Sequence, residues 1–239
     1  MSRLFLIRHA QASFFEADYD KLSRLGEEQA RLLGKYWSQR NFSFDRVYSG
    51  PRQRQKNTAE IVSDAFRAAG HAFPELTVLQ EFDEYPGDVV LRQSLPRLLE
   101  SDVTIRDWHR EYHSAPDSPE KLKYFQRIFE AVIGKWVAGE LSVGGIESWP
   151  EFCARVNRGL SQILSGAESG RQLAVFSSGG PIGVAMQRAL NLSPQDTLRT
   201  VWMSRNCSYS EFLFSSDRFT LSAFNAFPHL DDASLLTYR

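Results

Sequence analysis

Residues 174–183 read AVFSSGGPIG. The apolar run Ala174–Phe176 enters Ser177-Ser178 and then Gly179-Gly180-Pro181. That order predicts a strand, a tight turn and a helix starting near Pro181. In open α/β sheets, ligands sit beyond the carboxyl ends of the strands, so this junction is a candidate binding site. Its only gripping side chains are two hydroxyls. Three further stretches have the same layout. Leu4–Ile7, a short continuous apolar run suited to a strand buried on both faces, leads into Arg8-His9. DRVYS (45–49) ends in Gly50-Pro51 and leads to Arg52 and Arg54. Leu76–Gln80 leads to Glu81, Asp83 and Glu84.

Between these junctions the chain alternates strand and helix. Ser23 is placed to cap a helix carrying Leu25, Ala30, Leu33 and Trp37. A second helix carries Thr58, Ile61, Val62, Ala65 and Phe66. Residues 86–145 lack strand patterns. Within them Ser118-Pro119-Glu120 reads as a helix start, followed by Leu122, Phe125, Phe129, Val132 and Trp136 at helical spacing, and GELSVGG (139–145) as a loop. A helix near Ser148-Trp149-Pro150 carries Phe152, Val156, Leu160 and Ile163. Tyr209–Phe214 and Phe219–Phe224 form late strands around the turn Ser215-Ser216-Asp217. The alternation predicts an α/β fold with a mostly parallel central sheet. It is read as one domain, 1–239, with a mainly helical insertion at about 86–145 over one end of the sheet.

Composition narrows the function. The 239 residues are 42% apolar and 24% charged, with a net charge of -1, which argues against a nucleic-acid or membrane-surface partner. Cys153 and Cys207 supply neither a disulfide framework nor a CxxC metal pair, and both are expected as buried thiols. The apolar run Leu4–Ile7 is too short for a signal segment or a membrane span, so a cytoplasmic protein is expected. If the four strand ends converge, they bring together an imidazole, two or three guanidiniums, carboxylates and hydroxyls. That set fits a phosphate ester. Arginine matches phosphate oxygens bidentately and stays charged, an imidazole can form a covalent phosphoryl intermediate, and a carboxyl group can protonate the departing oxygen.

Several segments, in order, resemble the histidine phosphatase superfamily, the phosphoglycerate-mutase-like family. LFLIRHAQAS resembles its opening Arg-His-Gly signature. DKLSRLGEEQARLLG resembles its L-(S/T)-x-x-G-x-x-Q-A-x-x-L-G helix, and VYSGPRQRQKNTAEIV its second phosphate-arginine segment. LQEFDEY resembles the segment that supplies the acid, AVFSSGGPI the V-V-S-H-G-G strand and turn, and FNAFPHL the closing N-x-x-x-H-L. The resemblance implies a three-layer, phosphoglycerate-mutase-like fold with the insertion over the active-site end. It implies a phosphomonoester hydrolase working through phosphohistidine on His9. Arg8, Arg54 (rather than Arg52) and Ser178 would hold the phosphoryl oxygens, with Gln11 and Ser13 lining the pocket and Glu81 as the acid. No metal or other cofactor is implied, and the partner is a small phosphorylated substrate or a phosphoprotein.

Three departures bear on this. Ala10 replaces the signature glycine, which matters only if the backbone there needs positive φ. The stretch after Glu81 leaves Asp83 or Glu84 as alternative acids. Ser178 stands where the family has its second histidine, and a hydroxyl cannot carry that charge. A neutral donor contributes roughly 0.5–1.5 kcal/mol against about 1.5–3 for a charged one. His109 and His113, four apart within the insertion, share a helix face; they are expected on the surface or reaching over the pocket, without the arrangement of a metal pair. His71 is expected in solvent and His229 in a structural role. A phosphoglycerate mutase-type isomerase, and a weak or inactive phosphate- or phosphoprotein-binding homologue, are the other readings.

Overall fold

A computed structural model describes residues 1–13, 20–116, 119–165 and 168–238. The strands are β1 (Ser2–Arg8), β2 (Arg46–Ser49), β3 (Leu76–Val78), β4 (Gln172–Ser177), β5 (Tyr209–Phe214) and β6 (Phe219–Ala226), in the order β3-β2-β4-β1-β5-β6. β3, β2, β4 and β1 run parallel; β5 is antiparallel to β1 and β6 to β5. The helices are α1 (Arg24–Ser38), α2 (Gln53–Ala68), α3 (Gly87–Ser101), α4 (Val103–Ser114), α5 (Pro119–Val137), α6 (Trp149–Ser165), α7 (Gly179–Leu190) and α8 (Pro194–Met203). The α/β class expected from the alternation is the class observed: a mixed sheet, parallel in its main part, flanked by helices.

The described residues form two compact units. One comprises Met1–Glu84 and Cys153–Arg239 and holds the whole sheet; the other is Tyr85–Phe152. In the first unit, Leu4–Ile7 and Leu173–Phe176 are wholly buried, as central parallel strands require. Phe5 and Val47 join Leu33, Trp37, Phe44, Val62 and Phe66 in one core cluster. α1 and α2 approach so closely that a Cβ on Gly34 would lie 2.6 Å from that of Ala65. Ser23 caps α1, accepting from the Gly26 amide. The second unit contains α3, α4 and α5 and, among the described residues, no strand. The Tyr85 ring lies 5.6 Å from Trp136, and Trp136 lies 5.8 Å from Trp149. Asp102 caps α4 through the Thr104 and Ile105 amides and pairs with Lys135 at 3.3 Å.

Three local expectations change. β3 stops at Val78, and residues Gln80–Phe82 form a 3-10 turn; the Arg155 guanidinium collects the carbonyls of Gln80, Glu81 and Asp83 there. α7 starts at Gly179 rather than Pro181, because the Glu84 carboxylate accepts from the Gly180 amide. α8 is additional, capped by Ser193 with Pro194 at its first position. Ser118 lies outside the described residues. Among the described residues, no helix is long and apolar enough to cross a membrane.

His229 is buried beside Tyr36. Burial pushes its imidazole down to about 4, with the Cys207 backbone opposing. The unfolded chain takes up this proton near pH ~6.5. His229 therefore contributes its full stability above that pH and loses it as the pH falls toward its folded value, in all by about 3 kcal/mol. Urea unfolding at pH ~7 and ~4.5 checks this, because most of that change falls within the interval. The stability lost should be smaller by about 2 kcal/mol in His229→Gln; equal losses contradict the assignment.

Candidate active site

The site is built at the carboxyl ends of β1 and β4. The two strands pair in parallel with Arg8 opposite Ser177, and the His9 amide donates to the Ser177 carbonyl at 2.7 Å. His9 and Ser178 thus each follow a paired residue, at the ends of adjacent strands. The His9 carbonyl accepts from the Cys207 amide at 3.2 Å and from Asn206 Nδ2 at 3.3 Å. Cys207 holds this position with φ 58, a region that bulky residues rarely adopt. The Ala10 amide donates to Thr58 Oγ1, which in turn donates to the Arg54 carbonyl at 2.7 Å. Ala10 is not among the described residues with positive φ, so its methyl group brings no backbone strain.

These contacts set the chemistry of the ring. His9 is buried, and its Nδ1 lies 2.8 Å from the Ala10 carbonyl oxygen. A carbonyl only accepts, so Nδ1 carries the hydrogen and Nε2 the lone pair. Arg54 Nε donates to that Nε2 at 3.1 Å. The ring is held well below the usual imidazole range by burial first, then by the charges of Arg54 and Arg8; the bond to Ala10 opposes them. His9 is a neutral imidazole with a directed lone pair.

Arg54, near the start of α2, is buried and pairs through Nη1 with Asp20 Oδ1 at 2.6 Å. The other Asp20 oxygen accepts from the Gln53 amide at 2.7 Å. Arg8 donates through Nη1 to the Ser204 carbonyl. Arg52 does not approach His9 by hydrogen bond; its Nε pairs with Asp83 Oδ1 at 2.5 Å.

The remaining candidates separate. Ser178 is fully buried, and its hydroxyl accepts from Gln55 Nε2 at 2.8 Å. The same Gln55 amide reaches the Phe82 carbonyl, and its oxygen accepts from the Arg52 amide at 3.0 Å. Glu84 brings its carboxylate to the Gly180 amide, with oxygens at 3.1 and 3.2 Å. Glu81 turns toward α6, where a Cβ on Gly159 would lie 2.6 Å from its own. Gln11 is tied to α1: its amide donates to Gln29 Oε1 at 2.9 Å and its side-chain oxygen accepts from the Ser23 hydroxyl at 2.7 Å. Ser13 is buried, and its hydroxyl has no partner among the described residues. His109 and His113 face each other on α4, with Nε2 atoms 3.2 Å apart and exposed side chains. Among the described residues no cluster of three or more His, Cys, Asp or Glu side chains is arranged for a metal ion. Asp20, Gln55, Asn206 and Arg155 are site residues that the sequence reading does not name, and Thr58 is named there only as a helix-face residue. Of these, only Gln55 and Thr58 had a signal there: they flank Arg54 on one helix.

Comparison with known proteins adds a family. The model of the histidine phosphatase superfamily (branch 1) matches residues 4–142 and 127–226. A 2,3-bisphosphoglycerate-dependent phosphoglycerate mutase from Methylorubrum populi is 28% identical over 127 residues, spanning 50% of this chain and 59% of that protein. Among solved structures, a phosphoserine phosphatase from Entamoeba histolytica, in complex with 3-phosphoglyceric acid, superposes with a TM-score of 0.63 at 18% identity, over 96% of this chain and 100% of its own. A phosphoglycerate mutase from Bacillus anthracis superposes with a TM-score of 0.62 at 15% identity, over 96% and 95%. These structures share the fold.

The Ser178–Gln55 contact has a consequence for substitution. Gln55 Nε2 lies 2.8 Å from the fully buried Ser178 hydroxyl, so a larger side chain at 178 meets it, and overpacking a tight core costs about 1–3 kcal/mol. Ser178→His should lower the unfolding midpoint, and Gln55→Ala in the same chain should recover part of the loss. Thermal unfolding of the single and double variants checks this. Additive losses contradict it.

Proposed function

The chain belongs to the histidine phosphatase superfamily (branch 1), and from that premise we propose that it is a phosphomonoester hydrolase with His9 as its nucleophile. The observation that carries the reading is the Nε2 lone pair of a buried, neutral His9 beside the Arg54 guanidinium. In this mechanism Nε2 attacks phosphorus in line, and the bond from phosphorus to the ester oxygen breaks. Arg54 Nε transfers its hydrogen bond from Nε2 to a phosphoryl oxygen, and Arg8 offsets the remaining negative charge. A carboxylic acid gives its proton to the leaving oxygen. The same carboxylate then takes a proton from water, which attacks phosphorus; the P–N bond breaks, and orthophosphate leaves.

Glu84 takes the acid role in this proposal. Its carboxylate lies at the turn that follows Ser177-Ser178, and the Ser177 carbonyl accepts from the His9 amide, whereas Glu81 packs against α6. Ser178 is shielded from solvent, so its part is to fix that turn through Gln55, with its hydroxyl proton directed away from the Gln55 amide. Two guanidiniums supply the positive charge, and the reaction as proposed needs no metal. The substrate class is a small phosphate monoester or a phosphoprotein, handled in the cytoplasm. The curated relative is a mutase, which supplies the second reading; a coupled assay with 3-phosphoglycerate separates the two.

Mixing the enzyme with a 32P-labelled aryl phosphate and quenching should leave acid-labile label on the wild type and none on His9→Ala; label that persists in His9→Ala contradicts the mechanism. Glu84→Gln should lower kcat by about 10²–10⁴, and Glu81→Gln by far less. Because the neutral ring is the active form and its proton affinity is depressed, kcat/KM should hold as the pH falls through ~6.5 and decline only at more acidic values. A decline centred on the ordinary imidazole value contradicts the assignment.

A further inference from the structure

The Asp20 carboxylate bridges two groups suited to anions. One oxygen is on Arg54 Nη1 at 2.6 Å, and the other is on the Gln53 amide, at the first residue of α2, at 2.7 Å. A guanidinium and the first amide of a helix are both donors that serve phosphate oxygens. The arginine side chain is only 7% exposed and the aspartate 31%, so screening by solvent is partial on the aspartate and slight on the arginine. Asp20 also acts electrostatically on Arg52, whose own guanidinium is paired with Asp83. Both Arg52, at the cap of α2, and Arg54, in its first turn, thus face a carboxylate.

From this we infer that Asp20 is a positioning residue that sets the affinity of the site for phosphate dianions. It does so in two ways. Its bond to Nη1 and the Nε bond to His9 together fix the plane of the Arg54 guanidinium, since two donors of a rigid fork define it. Its negative charge offsets the charge of Arg54 and repels an incoming dianion, so product phosphate leaves rather than remaining on the arginines. The inference rests on the phosphate site proposed above.

The test measures orthophosphate binding to the full-length protein at neutral pH by calorimetry, in wild type and in Asp20→Asn. Removing the charge at this range should tighten orthophosphate binding by roughly tenfold or more, whereas loss of a merely structural contact would weaken it. Asp20→Glu should return affinity toward wild type. If Asp20→Asn does not fold, Asp20→Gln serves, since it also removes the charge and keeps an amide oxygen that can accept from Arg54, with the same tightening expected. A wild type that binds orthophosphate, with a variant whose affinity is equal or weaker, overturns the role of Asp20 alone. A wild type that neither binds orthophosphate nor becomes labelled on His9 overturns the phosphate site itself.

Discussion

An imidazole nitrogen that accepts a hydrogen bond cannot at the same time carry a proton, and the site described above depends on that constraint. Arg54 Nε points at His9 Nε2, and the Ala10 carbonyl takes the hydrogen of Nδ1. The Arg54 contact disfavours a proton on Nε2 in either the other tautomer or the imidazolium, and the Ala10 contact selects Nδ1 for the single hydrogen. A hydrogen on Nε2 would face a cationic donor, and a second proton would place three positive charges together with Arg8 in a buried site. Burial alone already disfavours the charged ring. Keeping a buried guanidinium beside it requires a counter-charge, and Asp20 supplies one.

The fold maintains this through backbone rather than through flexible side chains. The residue after β1 is held from one side by β4 and from the other by the Asn206–Cys207 corner. Behind it runs a chain of buried amides. Gln29 accepts from the Gln11 amide and donates to the Leu235 carbonyl and the Thr237 hydroxyl, while the Asn206 amide donates to the Thr237 carbonyl. The loop bearing His9, the N-terminal part of α1 and residues 235–237 are thereby one hydrogen-bonded assembly. Gly26 belongs to it: a Cβ there would run into the Gln11 carbonyl.

What the sequence makes legible follows from the range of the interactions involved. Leu4–Ile7 and the run Ala174–Phe176 are legible as strands because central parallel strands are apolar on both faces. The cap at Ser23 read correctly because its partner is three residues away. The arrival of Arg54 rather than Arg52 at His9 was legible only through resemblance, since both follow the same strand. The acids were not separable: Glu81, Asp83 and Glu84 lie within four residues, and a single 3-10 turn sends them to α6, to Arg52 and to α7. Gln55 beside Ser178 and Asp20 on Arg54 depend on contacts across 123 and 34 residues, which no local pattern announces. α8 differs in carrying a local helix-start signal, Ser193-Pro194 with Asp196.

The geometry around His9 sets one chemical requirement, a neutral ring with its lone pair on Nε2. Long-range proton–nitrogen correlation spectra of the His9 imidazole at pH ~6, below its ordinary titration midpoint, examine that requirement without assuming a substrate. The account predicts one hydrogen, on Nδ1, with Nε2 showing the shift of an unprotonated nitrogen and no change up to pH ~8. An imidazolium at pH ~6, or a hydrogen found on Nε2, would contradict it.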